Sequence, residues 1–268
     1  MSMAAAADCP PEWLELRERA DAAARADALL PPLRAYLANE ERLVIHDLGC
    51  GTGSMARWLS ARLPGPQHWI MHDRDPVLLA RATAGTGEGV TMSTERGDIT
   101  GVRLSGASLV TASALLDLLT AEEVTGLAAA CAGRPALLTL SVTGRVELTP
   151  ADPLDAAIGA AFDAHQRRVT GGRRLLGPDA PAVAVEAFER HGMTVRQHAS
   201  PWRLGPDQAA LTAEWLAGRV AAACEERPDL AVRANAYLRR RLDACAAGEL
   251  RVVVGHRDLL ALPGACAR

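Results

Sequence analysis

Apolar and polar positions along this chain alternate between two rhythms, short apolar runs and longer stretches with helical spacing, and the switch between them predicts its elements. Residues 11–37 carry an Ala-, Leu- and Arg-rich helical pattern interrupted at Pro31 and Pro32, so two helices are expected before the first strand. A short apolar run from Leu43 then leads to an acid, Asp47, to glycines at alternate positions, Gly49, Gly51 and Gly53, and to a helical run ending near Leu63. That is strand, tight loop, helix. A second strand is expected to end at Asp73, and Asp75 and Pro76 supply an N-cap and a first-turn proline for a helix reaching about residue 84.

Strands follow at residues 90–93, 108–112 and 134–142, with a helix at 121–131 between the last two. Beyond them we read a helix that starts at Asp152 and Pro153, the pair Gly171 and Gly172, a helix at 181–192 and a strand at 193–198. Two amphipathic helices at 208–224 and 228–247 and a last strand at 250–255 complete the chain. Strands alternating with helices across short turns imply an α/β fold, a doubly wound, mostly parallel sheet with helices on both faces. Ligands of such sheets bind at the carboxyl ends of the strands.

Composition narrows this reading. The 268 residues suffice for one large domain, and 49% apolar residues exclude a disordered chain. With 3% aromatics the core must be built from Ala, Leu and Val. A net charge of −3 gives no general attraction to nucleic acid, although every basic side chain is Arg. Cys9, Cys50, Cys131, Cys224, Cys245 and Cys266 form no C-x-x-C pair, so a zinc ribbon or redox motif is not expected, and reduced thiols in a cytoplasmic protein are. No window approaches about 18 continuous apolar residues, and residues 1–10 read as a loose tail without the marks of a signal peptide.

The glycine loop carries the chemistry. Glycines let a ligand approach the main chain closely, and the following helix start offers free N–H groups. The dinucleotide fingerprint is G-x-G-x-x-G, whereas the spacing here is G-x-G-x-G with Ser54 in the place of the third glycine. Asp47, two residues ahead of the loop, repels a pyrophosphate and welcomes an ammonium. A small zwitterion fits better than a dinucleotide.

This segment resembles motif I of the class I, Rossmann-like, S-adenosylmethionine-dependent methyltransferases. The similarity covers residues 42–142 with motifs in order and the last strands more loosely. It implies a seven-stranded sheet whose last strand is antiparallel, S-adenosylmethionine as cofactor and S-adenosylhomocysteine as product. It also implies that Asp47, Gly49, Cys50, Gly51 and Gly53 cradle the methionine end. Asp73 and the neighbouring Arg74 would meet the ribose, and Asp98 and Ile99, in the segment ERGDIT, the adenine. Ser113, in SALLDLL after the fourth strand, would face the sulfonium. An acid in the place of Asp73 is equally expected of a nicotinamide enzyme; the loop spacing and Asp98 disfavour that alternative.

Residues 1–40 are expected to form an N-terminal helical segment and residues 41–268 a single cofactor-binding domain, with a roof insertion at 143–180, hinged at Gly171 and Gly172, and cap helices at 207–247. Methyl transfer needs alignment rather than a triad or a metal, and proximity alone is worth up to about 7–11 kcal/mol. Asp117 and His165 are the candidate bases, with His198 a further one, and Trp202 and Arg17 are candidates for acceptor contact. The segment SALLDLL has neither the Pro-Pro-aromatic motif of amino-methylating nucleic-acid enzymes nor a Pro-Cys pair, and few aromatics are available for base stacking. A small-molecule acceptor, methylated at N, O or C, is therefore expected, without a nucleic-acid or membrane partner. An RNA methyltransferase and a non-catalytic cofactor-binding protein of the same fold are the alternatives.

Overall fold

The computed structural model describes residues 9–83 and 87–264; residues 1–8 of the tail expected at 1–10, Cys266 and the end of the helix expected near residue 84 lie outside them. Two helices, α1 (Pro11–Ala24) and α2 (Leu30–Leu37), precede the sheet. The break between them falls at Arg25 rather than at the prolines, which occupy the first turn of α2, where a missing N–H is harmless. Then follow β1 (Leu43–Leu48), α3 (Ser54–Ser60), β2 (Gln67–Asp73), α4 (Pro76–Ala82) and β3 (Val90–Arg96). Asp75 caps α4 by accepting from the Val77 N–H at 2.7 Å, as expected of an Asp-Pro start. Only a 3-10 turn (Ile99–Gly101) separates β3 from β4 (Leu109–Ser113).

Next come α5 (Ala121–Ala130), β5 (Ala136–Thr149), α6 (Asp155–Gln166), the two-residue strands β6 (Val169–Thr170) and β7 (Arg173–Arg174), α7 (Ala180–Arg190), β8 (Met193–Ala199), β9 (Trp202–Leu204), α8 (Ala209–Glu226), α9 (Ala231–Ala246) and β10 (Arg251–Pro263). The main sheet has the order β3-β2-β1-β4-β5-β10-β8, with β9 also on β10. β1 to β5 run parallel and β10 is antiparallel to both its neighbours, as expected, while the short β9 beside the first half of β10 makes the sheet eight-stranded rather than seven-stranded.

Alternation along the strands sorts the core. Ile45, Trp69, Met71 and Leu137 face α2, α3 and α4, where they meet Leu33, Leu37 and Leu59. Val110, Ala112 and Leu138 face the other way, toward Val124 of α5 and Phe188 of α7. Each such large side chain, fully buried, stabilises the fold by roughly 1.5–3 kcal/mol.

Two expectations are corrected. Residues 143–149 continue β5 as a ribbon with the first half of β10, because Val146 and Leu148 face inward against α8 and α9 while Arg145 and Glu147 face solvent. Gly171 and Gly172, at φ +58° and +79°, are the two-residue turn of the β6–β7 hairpin rather than a hinge, since both positions of such a turn need positive φ. The roof helix α6 packs on α8 and α9 through Ile158, Ala161, Val220, Ala223 and Tyr237, so roof and cap form one helical layer.

Candidate functional site

Leu43, Ile45 and Asp47 point to the same face of β1, and the first two are sealed in the core, so Asp47 is carried to the carboxyl end of the strand already largely desolvated. It is 1% exposed. Its Oδ1 accepts from Thr111 Oγ1 at 2.7 Å, and its Oδ2 is buried without a partner. Burial pushes the carboxyl up to about 7, against the opposing effects of the Thr111 hydrogen bond and the Arg25 charge.

The loop that follows takes positive φ at Gly49, Gly51 and Gly53. A Cβ on Gly53 would stand 2.3 Å from the Ala82 carbonyl oxygen, so only glycine lets the end of α4 pass. The Cys50 N–H donates to the His72 carbonyl at 2.9 Å, tying the loop to β2. The Cys50 thiol is buried, and burial raises it far from reactivity. Asp73 is joined to the same loop. Its Oδ2 accepts from the Gly51 N–H at 2.9 Å and its Oδ1 from the Asp75 N–H at 3.0 Å.

Helix α1 lies across this loop. Leu14 Cδ1 would be 3.0 Å from a Cβ on Gly51, and Leu115 Cδ1 equally near one on Gly49. The helix is also tied by charge: Glu18 receives Arg57 at 2.7 and 2.6 Å, and Glu15 receives Arg81 at 2.8 Å. Where α1 ends, Arg25 turns inward and is 4% exposed. Its Nη2 donates to Ser54 Oγ at 3.0 Å and to Ser113 Oγ at 3.2 Å, and Thr139 Oγ1 donates to Ser113 Oγ at 3.0 Å. Nothing in the sequence distinguished Arg25 from its many surface counterparts.

At the far end of the loop region, Asp98 is exposed and its Oδ1 caps the 3-10 turn through the Thr100 N–H and hydroxyl, which hold its carboxyl below the usual range. Ile99 and Leu48 border a groove of about 860 Å³ that runs between α5 and the β6–β7 hairpin and is flanked by Arg173 and Glu123. Arg74 is exposed beside Asp73, and its carbonyl accepts from Arg96 at 3.2 Å.

The remaining candidates divide. Asp117 is half-buried, and burial raises it to about 6, opposed by the nearby Arg17 charge. Arg17 binds Asp21 at 2.9 and 3.2 Å and lies 5.0 Å over the Trp202 ring, whose Nε1 donates to the same Asp21 at 2.9 Å. Trp202 is thus buried in packing under α1. His165 sits elsewhere, in the contact of α6 with α8: Nε2 lies 3.2 Å from Glu225 Oε2 and Nδ1 3.3 Å from Arg168. His198 is exposed on β8. A histidine that sequence reasoning missed is His256, turned inward at the irregularity after Val254, 5.2 Å from the Trp202 ring and with Nδ1 buried and unpaired. Burial, then the Arg17 charge, lowers it to about 3, so it is neutral.

The acid-led glycine loop and the strand order agree with a comparison of families: the model of a methyltransferase domain matches residues 45–133. Over this segment the chain is similar to a methyltransferase domain. No curated protein matches the chain. Solved structures similar to it include S-adenosylmethionine-dependent methyltransferases from Geobacter sulfurreducens and Thiobacillus denitrificans, both in complex with S-adenosyl-L-homocysteine. The first is 18% identical over 96% of this chain and 99% of that one, with a TM-score of 0.47. The second is 17% identical over 95% and 99%, also at 0.47. A cyclopropane synthase from Mycobacterium tuberculosis is 13% identical over 87% and 83%, at 0.47. The matched segment runs from β1 to α5, and α1, Arg25 and the helical layer of α6, α8 and α9 lie outside it.

Proposed function

We propose that this chain is a methyltransferase that uses S-adenosylmethionine to methylate a small-molecule acceptor at N, O or C. The observation that carries the reading is Asp47 Oδ2, a buried carboxylate oxygen with no partner beside a loop of three glycines. A buried acid in that condition calls for a cation. An ammonium supplies it, and the glycine main chain leaves room for the rest of an amino-acid end.

When bound, S-adenosylmethionine supplies an electrophilic methyl group on a sulfonium. This chain's residues bind and orient. Asp47 receives the ammonium. Asp73, whose oxygens each retain a lone pair after accepting one N–H, receives ribose hydroxyls, with Arg74 at its side. Asp98 accepts from the adenine amine through the oxygen not engaged with Thr100, and Ile99 covers the ring. Ser113 borders the reacting end. Asp117, near neutrality at its raised value, takes up a proton where the acceptor must lose one. Covered by α1 and Leu115, the site excludes water, and orientation does most of the catalysis.

Calorimetry with S-adenosylhomocysteine and with NADH tests the reading. Binding of the first on the micromolar scale is expected. Binding of NADH without S-adenosylhomocysteine overturns it.

A further inference from the structure

Arg25 is a desolvated cation without a counter-ion. No carboxylate among the described residues lies within ion-pair distance of it, and its hydrogen bonds go only to neutral oxygens: Ser54 Oγ, Ser113 Oγ and, at 3.5 Å, the Ser54 carbonyl. Its Nε is buried and unpaired. The Trp58 ring, 5.5 Å away, gives a cation–π contact but no charge. Other arginines in the fold show the usual remedy: the equally buried Arg241 is paired with Asp155, and Arg17 with Asp21.

Burying a charge unpaired is costly, and folded proteins normally avoid it. Of the acids whose charge Arg25 feels, Asp21 first, then Asp258 and Asp47, Asp21 is engaged by Arg17 and Trp202, and Asp258 by Ala26, Leu140 and Ser200. Of the three, Asp47 keeps a buried oxygen without a partner, and Arg25 does not contact it. A direct ion pair would satisfy both in the protein alone. Instead Thr111 holds one oxygen of the acid, and Ser54 and Ser113 hold the guanidinium, leaving Oδ2 on one and Nε on the other. A ligand with an ammonium and a carboxylate on one carbon satisfies both at once.

We propose that Arg25 anchors the carboxylate of the ligand's amino-acid end, and that this contact makes the site select adenosyl ligands that carry the carboxylate over those that lack it. The proposal rests on the S-adenosylmethionine reading above. It assigns a binding role to a residue outside the methyltransferase-domain segment, at the junction of α1 with α2. The position is fixed from both sides: the Arg25 N–H donates to the Asp21 carbonyl at 3.0 Å, and the next N–H, of Ala26, donates to Asp258 Oδ2 at 2.8 Å.

The test compares three probes by calorimetry on the full chain: S-adenosylhomocysteine, its decarboxylated analogue that keeps the amine, and 5′-methylthioadenosine, which lacks the amino-acid end. A charge-assisted pair of this kind is expected to favour S-adenosylhomocysteine over the decarboxylated analogue by roughly 10- to 100-fold. In Arg25→Met that preference disappears, while 5′-methylthioadenosine binds as before. The ligand-free variant melts no lower than the original protein, since an unpaired buried charge has been removed. Arg25→Lys, which keeps the charge without the planar fork, loses part of the preference. Equal weakening of all three probes in Arg25→Met, or undiminished preference in Arg25→Lys, overturns the proposal. Failure of the original protein to bind either S-adenosylhomocysteine or 5′-methylthioadenosine is the distinct result that defeats the cofactor reading itself.

Discussion

Thr111 donates to one oxygen of Asp47 at 2.7 Å and leaves the other buried and unpaired. Because burial raises this carboxyl from 3.8 to about 7, the folded protein holds a proton that the unfolded chain has released. Its contribution to stability is therefore present at acid pH and is lost as pH rises through about 7. An ammonium against Oδ2 favours the charged form. Binding of S-adenosylhomocysteine should then release up to about one proton near neutrality, and affinity should climb with pH up to that point. Calorimetry in buffers of different ionisation enthalpy measures the release. Asp47→Asn should bind far more weakly and release none; a release unchanged in the variant would assign the proton to another group.

Asp73 has a structural duty beside its expected one. Both its oxygens already accept main-chain N–H groups, from Gly51 and Asp75. Asp73→Ala strands both donors and should cost about 1–3 kcal/mol of stability as well as most of the affinity. Denaturant unfolding separates the two effects: an affinity loss without any stability loss contradicts the double role.

The local geometry around the glycine loop was legible because its chemistry is local. Asp47 and the alternate glycines declare a close approach of ligand to main chain, and Asp75-Pro76 declares where β2 must stop, which places Asp73. The strand succession was legible from apolar runs, but the insertion of β10 between β5 and β8 came only with the family resemblance. Residues 143–149 alternate inward and outward as a strand should, yet Gly144 among them reads as a loop signal. His165 reads as a candidate base on a roof helix; Glu225, which engages it, lies 60 residues on. Arg25 and Asp258 are the extreme case. Their burial is made by partners from distant strands, and no local pattern encodes it.

Gly53 and Gly126 should respond oppositely to the same change. Gly53 has φ +83° and Ala82 backbone in the way, so Gly53→Ala should destabilise by more than about 1–2 kcal/mol and disturb the loop. Gly126 lies within α5 with nothing near its missing Cβ, so Gly126→Ala should stabilise by roughly 0.5–1 kcal/mol. Thermal unfolding of the pair checks this, and a stable Gly53→Ala would mean that α4 does not press on the loop.

The acids of α1 should govern access more than stability. Of its residues only Ala20 and Asp21 are buried, and the contacts of Glu15 and Glu18 with Arg81 and Arg57 are at least partly solvated. Glu15→Gln with Glu18→Gln should change global stability by no more than about 1 kcal/mol. Dissociation of S-adenosylhomocysteine, followed by stopped-flow fluorescence, should nevertheless become faster and less sensitive to salt. An unchanged rate would show that α1 stays in place while ligand leaves.

Asp258 joins three separate parts of the chain. Its carboxylate accepts from the Ala26 N–H at 2.8 Å, the Leu140 N–H at 2.7 Å and Ser200 Oγ at 2.5 Å, linking the α1–α2 junction, β5 and the turn into β9. Leu140 has φ +57°, a conformation that costs a branched side chain about 1–2 kcal/mol and that persists here under the hold of this acid. Asp258→Ala leaves two buried N–H groups unpaired and should destabilise by about 3–5 kcal/mol, a large share of a typical domain's 5–15. Asp258→Asn keeps the shape but turns an amide toward at least one donor, at a smaller cost of about 1–3 kcal/mol. Because Ala26 follows Arg25 directly, the Asn variant should also lose preference for S-adenosylhomocysteine over its decarboxylated analogue while keeping its affinity for 5′-methylthioadenosine. Denaturant unfolding and the three-probe calorimetry read the two effects separately, and a variant that loses stability with its ligand preference intact would show that Arg25 holds its place without Asp258.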